Sequence, residues 1–277
     1  MELLVNSQPV ELTLEDESTL GEVISGVRNW LAESRLFVTD IQVDEREVPL
    51  ELPQPWGDQD LEEIGQIRIE AHPQWQVDLA LLDTAVEELR DAQTDVNLGS
   101  DAQRRLLETV RFLRHLDLGM VEDRLEQHRP LGPEDVAAAS TILRSRRQEI
   151  ADPWREAMAT APLIEEMLPE VEEVAVLLQT GRDSEAMTIL IRFVELVSRL
   201  LRLFGHLTYS AEHDPGGKIS SEGASLQEVT GQLNATLREL VDAFTNQDSV
   251  LIGDLLEYEV TSQVRELLSF LQEQSQP

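Results

Sequence analysis

Residues 66–73, Gln66-Ile67-Arg68-Ile69-Glu70-Ala71-His72-Pro73, decide how this chain is organised. Ile67 and Ile69 alternate with Gln66, Arg68 and Glu70, which is the period of a half-buried strand. Pro73 interrupts the pattern, because proline disfavours helix at the residue before it. Beyond it the apolar period changes from two to 3.6. Leu79, Leu82, Val86 and Leu89 share one helical face, and so do Leu106, Leu107, Val110 and Leu113. The chain therefore reads as two parts, a strand-rich segment 1–72 and a helical segment 73–277.

Working back from this strand, Leu12 and Leu14 alternate with Glu11, Thr13 and Glu15, and Ile41 and Val43 with Gln42 and Asp44. One helix lies between them. Thr19-Leu20-Gly21-Glu22 fits a capping box, in which the Thr side chain and the Glu side chain satisfy each other's free amides. Leu20, Val23, Ile24, Val27 and Leu31 then fall on one face. The expected order is strand 2–6, strand 10–15, helix 19–33, strand 38–44, short strand 47–51, a loop with a helical turn over 53–64, and strand 65–71. Val43-Asp44-Glu45-Arg46-Glu47-Val48 reads as a tight hairpin.

That order resembles the β-grasp family, the fold of ubiquitin and its relatives. The resemblance covers about a quarter of the chain. It implies a fold and a docking surface, not a conjugated modifier: no Gly-Gly ends the last strand, and the segment has no lysine. The fold class expected for the whole chain is α+β, a ubiquitin-like β-grasp domain followed by an all-α domain of antiparallel helical hairpins.

In the second part, Gly132-Pro133-Glu134-Asp135 starts a segment with a weaker stripe of Val136, Ile142 and Leu143, and Asp152-Pro153 starts another helix, with proline at its first position. Leu163, Met167, Val171, Val174 and Leu178 read as one face. Ile189, Leu190, Phe193, Leu196, Leu200 and Leu203 mark the most apolar helix. Tyr209-Ser210-Ala211-Glu212-His213-Asp214-Pro215-Gly216-Gly217-Lys218 is rich in turn formers and reads as a flexible loop, 208–221. Helices over 222–246 and 248–273 follow. An offset of 83 residues aligns Leu106, Leu107, Val110 and Leu113 with Ile189, Leu190, Phe193 and Leu196; duplication and the common stripe of any helical hairpin both account for it.

Composition narrows the functions. The 277 residues hold 54 acidic and 22 basic side chains, a net charge of −32, and no cysteine. A surface so acidic repels polyphosphate and anionic lipid, so neither nucleic acid nor membrane is an expected partner. The acid is spread evenly, with 17 acidic and 4 basic residues in 1–72 (net −13). It reads either as a surface that captures a basic partner or as salt adaptation of a whole proteome. No stretch approaches the length of a membrane span, and Met1-Glu2-Leu3-Leu4-Val5-Asn6 has no basic leader, so a cytoplasmic location is expected.

Catalytic motifs are absent. There is no phosphate-binding glycine loop, no Gly-x-Ser-x-Gly elbow, and only one lysine, Lys218. None of His72, His115, His128, His206 and His213 has a glutamate three residues before it, and Glu212-His213-Asp214 are too close in sequence to converge on one ion. His115 and His206 lie near helix C-termini, where the dipole favours a cation. No catalytic residue, metal or cofactor is expected.

The residues singled out for partner contact are Trp56, Trp75, Asp254, Glu257 and Tyr258. Trp56 sits in the loop Pro53-Gln54-Pro55-Trp56-Gly57, and Trp75 just past the linker; each serves as a packing plug or as an anchor for a partner. On a regular helix Asp254 and Tyr258 are i, i+4 neighbours within hydrogen-bonding reach, flanked by Glu257 and Glu259. The expected function is a non-catalytic protein-binding module, an adaptor or an export or assembly chaperone, whose partner is basic or presents an amphipathic helix. An enzyme or enzyme accessory subunit with a carboxylate–histidine site, and a self-assembling homo-oligomer, are the alternatives.

Overall fold

A computed structural model of the protein describes residues 1–11, 17–50, 56–94, 100–127, 131–213, 223–246 and 248–275. The first strands are β1 (Glu2–Val5) and β2 (Gln8–Pro9), followed by helix α1 (Leu20–Glu33). β3 (Leu36–Val43), β4 (Arg46–Glu47), a 3₁₀ turn (Leu61–Glu63) and β5 (Gln66–Pro73) complete the sheet. Most of the expected strand 10–15 lies outside the described residues. The sheet order is β2-β1-β5-β3-β4, with β1 and β5 parallel at its centre and the other neighbours antiparallel. This N-terminal mixed sheet is consistent with a β-grasp.

The capping box forms as read. Thr19 Oγ1 accepts from the Glu22 amide, and the Glu22 carboxylate accepts from the Thr19 amide at 3.1 Å. Leu20, Val23, Ile24, Val27 and Leu31 are all buried. They meet Leu3, Val5, Ile41, Ile67 and Ile69 in one core. Register explains why these strand residues share a face: Leu3 pairs with Ile67, Val5 and Ile41 with Ile69, and Val43 with Ile67. Each such burial contributes about 1.5–3 kcal/mol. The Gly21 amide donates to the Gly57 carbonyl at 2.9 Å, and a Cβ on Gly21 would stand 3.0 Å from that oxygen. Only glycine lets the two backbones approach so closely.

The β1–β2 and β3–β4 hairpins turn through Asn6-Ser7 and Asp44-Glu45, and all four residues have φ between 47° and 65°. Two consecutive left-handed residues match the right-handed twist of flanking strands. Asp44 also accepts the amides of Gly65 and Gln66 at 3.0 and 2.9 Å, which ties the turn to β5. Glu45 has no such bond to lose. Glu45→Gly is therefore expected to stabilise the sheet by roughly 0.5–1 kcal/mol, because it relieves a left-handed side chain. A urea midpoint that stays level or falls would contradict this.

The helical remainder runs through α2 (Gln74–Thr94), α3 (Ser100–Phe112), α4 (Gly119–Gln127), α5 (Pro133–Ala151), α6 (Pro153–Glu172) and α7 (Val174–Gln179). α8 (Asp183–His213), α9 (Gly223–Thr245), α10 (Ser249–Asp254), a π-helical turn (Leu255–Val260) and α11 (Thr261–Ser275) follow. The chain is thus α+β with a helical C-terminal region, and the strand-to-helix change falls at Pro73, as its sequence suggests. Contacts divide it into two compact units, 1–147 and 148–277.

In the first unit, α2 packs on α3 and α3 on α4. Leu82 and Leu89, Leu106 and Val110, and Val121 and Leu125 are buried there. In the second, Phe193, Leu200 and Phe204 of α8 join Ile164 and Met167 of α6 and Leu267 of α11 in one core. Phe204 and Phe270 meet edge to face with centroids 6.0 Å apart. Fully buried Glu149 lies 3.3 Å from both Arg199 and Arg202.

Two local expectations change. Leu163 is 42% exposed, and its neighbour Ile164 is buried instead. The inward face of α6 runs through Ala157, Thr160, Ile164, Met167 and Val171. Leu163 lies about 100° round the helix from Ile164, which turns it toward water. α8 continues to His213, into the stretch read as the start of a loop. Residues 209–213 contain no glycine or proline; the first breaker is Pro215, and 214–222 lie outside the described residues.

Candidate protein-docking groove

Helix α2 carries apolar residues on two faces. Leu82, Ala85 and Leu89 are buried in the helical packing. Val77, Ala80 and Leu81 lie on another side and form one wall of a groove of about 790 Å³. Helix α3 adds Glu108, Thr109 and Phe112, which succeed one another on one face at helical spacing. The sheet contributes Val38 and Thr39 from β3 and His72 from β5. Leu50, just past β4, closes the far side, and its carbonyl accepts from Arg28 of α1 at 2.9 Å. Phe112 is 57% exposed and Leu50 36% exposed, so two large apolar side chains face solvent at the rim.

A hydrogen-bonded carboxylate–histidine pair lies beside the groove. Asp78, 2% exposed, follows Val77 in α2. Its carboxylate accepts from Gln74 Nε2 at 2.7 Å and pairs with His115 Nε2 at 2.8 Å. His115 follows α3 closely, so this pair ties the end of α3 to the start of α2. Sequence position alone suggests a helix-dipole role for His115; the buried carboxylate is its actual partner. The hydrogen bond to Asp78 raises the His115 pKa above its ordinary 6.5, against partial desolvation. A raised folded-state pKa stabilises the folded form fully below the unfolded value. That contribution is lost as pH rises through the folded value. NMR titration should place His115 above 6.5, and His115→Gln should remove this part of the pH dependence. A histidine titrating at or below 6.5 would contradict the pairing.

Charge around the groove is uneven. On α3, Arg104 pairs with Asp101, Arg105 with Glu88, and Arg111 with Glu122 and Glu126. Arg114, just beyond, pairs with Glu122. Glu108, in the wall itself, has no cationic partner among the described residues. The groove thus offers apolar walls, a few polar atoms at the rim and one uncompensated carboxylate.

The residues expected to contact a partner are shared between the two units. Trp56 is half-buried against the sheet core, and its indole N–H has no hydrogen-bond partner among the described residues. Trp75 is half-buried in the first turn of α2, next to the groove residue Gln76. Asp254, Glu257 and Tyr258 are exposed in the other unit, at the π-helical turn. The expected Asp254–Tyr258 hydrogen bond is not among those of the described residues. The Tyr258 hydroxyl interacts with the Glu257 carboxylate, and Asp254 acts through its charge. Both raise the phenol's pKa, the Glu257 hydrogen bond most.

Two features hold the π turn. Thr261 Oγ1, fully buried, donates to the Leu256 carbonyl at 2.6 Å. Gly253 lies against α7, where an added Cβ would come 2.8 Å from that of Ala175. Among the described residues no three His, Asp or Glu side chains gather closely enough to hold a metal ion, and no helix is long and apolar enough to cross a membrane. The side chains of Glu212, His213 and Asp214 lie outside the described set.

The groove's residues are not marked in the sequence because they come from four separate elements and the segment after β4. The one signal is the second apolar face of α2, Val77 and Leu81, beside the Leu82–Leu89 face.

Residues 1–73 match the family described as TP0873 N-terminal domain. Residues 158–269 match a domain of unknown function, DUF8042. A protein of Treponema pallidum (strain Nichols), described as an uncharacterized protein, is 31% identical over 97 residues. That alignment covers 35% of this chain and 47% of the relative, so the chain spans about half the length of the curated relative it matches. No solved structure matches the chain.

Proposed function

We propose that this protein is a non-catalytic protein-binding module, an adaptor or an assembly chaperone, and that its docking site is the groove between α2, α3 and the sheet. The observation that carries this reading is the exposure of Phe112 and Leu50 at the rim of an apolar groove whose frame is fixed by the Asp78–His115 pair. Large apolar side chains left in water around a concavity mark places where another surface is accepted. The acidic surface assists by steering a basic partner toward the site.

The test compares the tagged 277-residue chain with a Leu81→Glu/Phe112→Ala variant in host extract. Both positions line the groove and neither is in the buried core, so circular dichroism should show an unchanged fold. A stoichiometric partner should be retained by the native chain and by Tyr258→Ala, and lost by the groove variant. Retention by the groove variant, or loss with Tyr258→Ala, would overturn the reading.

A further inference from the structure

We infer that the groove's occupant is the apolar ridge of a basic amphipathic α-helix. This deepens the proposed function and rests on it.

The walls favour a helix over an added strand. Val38 and Thr39 lie on the β3 flank that faces the groove, where strand addition would have to occur. The register of β3 against β5 slips between Val38 and Asp40, and the Thr39 hydroxyl donates to the Glu70 carbonyl of β5, so the β3 backbone is irregular at these residues. A bulge of this kind removes the even row of amides and carbonyls that an incoming strand needs. The other wall is made of side chains alone. Val77 and Leu81 are one turn apart on α2, and Glu108 and Phe112 one turn apart on α3. A ridge at i, i+3/i+4 spacing on an incoming helix matches rows that repeat with the same ~5.4 Å pitch.

Charge selects the sign of the partner. The arginines along α3 are each paired with carboxylates of this chain, whereas Glu108 stands beside Phe112 with no cation among the described residues. The surrounding surface adds to it, since residues 1–72 alone carry net −13. An incoming helix with lysine or arginine beside its apolar ridge would pair Glu108 and place Leu-sized side chains between Phe112, Leu81 and Leu50. An acidic helix would set like charges together at the rim.

The probes are three fluorescein-labelled 16-residue peptides, titrated by anisotropy against the full chain. One has leucines at i, i+3, i+4, i+7 spacing and lysines elsewhere. The second replaces lysine by glutamate, and the third keeps the lysine composition but scatters the leucines round the helix. The lysine peptide should bind at least tenfold more tightly than either other, with its lead over the glutamate peptide shrinking in 0.5 M salt. Glu108→Lys should weaken it about fivefold or more, and Phe112→Ala about tenfold. Equal binding of the glutamate or scattered peptide would overturn the inference and leave the groove intact as a docking site. Lysine-peptide binding unaffected by Phe112→Ala, or no binding at all, would also overturn it. Loss of the natural partner from the Leu81→Glu/Phe112→Ala chain reads the broader proposal separately.

Discussion

Replacing Glu149 by alanine is expected to destabilise the 148–277 unit by about 3–5 kcal/mol. The carboxylate is fully buried, with Arg199 and Arg202 of α8 each 3.3 Å away. Arg199 reaches on to Glu156 of α6 at 2.7 Å, so one buried acid links α5, α6 and α8. Truncation leaves cationic groups facing a space that water cannot readily fill. Removing one partner of a buried ion pair costs more than the intact pair contributes, because desolvation of the arginines is then only partly offset, at Arg199 by Glu156. Glu149→Gln keeps the volume and an acceptor oxygen, so its cost should be lower, about 1.5–3 kcal/mol. Native-state hydrogen exchange is the suitable readout, since a two-unit chain need not unfold in one step. Amides of α6 and α8 should lose protection. A loss under about 1 kcal/mol for the alanine variant would contradict the network.

Phe193→Ala is expected to cost a similar amount, about 3–5 kcal/mol, by a different route. Phe193 is fully buried in the middle of α8, in the core it shares with α6 and α11. Losing the ring forfeits its burial and leaves a cavity that rigid neighbouring helices fill only partly. Phe193→Leu keeps most of the volume and should cost under about 1.5 kcal/mol. In both variants protection should fall in α6 and α8 while β1 and β5, which have a core of their own, keep theirs. Equal losses for alanine and leucine would show that the site is not tightly packed.

Much of the fold was legible because it rests on local rules. The Thr19–Glu22 box, the α1 face from Leu20 to Leu31 and the Asp44-Glu45 hairpin are each fixed by residues within a turn or two of one another. So is the change of period at Pro73. The misses have long-range causes. Leu163 reads as core on spacing, yet α6 packs on α8 through the face of Ala157, Ile164 and Met167 and leaves Leu163 exposed. Glu149 belongs to no motif, and only the fold brings Arg199 and Arg202 to it from about fifty residues away. Asp254 and Tyr258 read as α-helical neighbours, but a buried Thr261 hydroxyl and the tight Gly253–Ala175 contact accompany a π turn that the residue pattern does not announce.

The groove was the least legible part. Val77, Leu81, Phe112 and Leu50 are ordinary apolar residues, and none belongs to a motif. Their meaning comes from being left in water together once Leu82, Leu89, Leu106 and Val110 have filled the packing behind them. The charge of the whole chain was legible in total, as −32, but not in place. Pairing of the α3 arginines with Glu88, Asp101, Glu122 and Glu126 is what leaves Glu108 as the exposed sign of the site.

The central claim is that this groove is where a partner helix docks. Methyl NMR of the full chain, titrated with the lysine peptide, tests it most directly. The methyl signals of Val38, Leu50, Val77 and Leu81 should shift together and saturate with one affinity. Those of exposed Val250 and Leu251 on α10, and of Ile191 and Val194 on α8, should stay in place. Shifts centred on α8 or α10, with the groove methyls unmoved, would contradict the account.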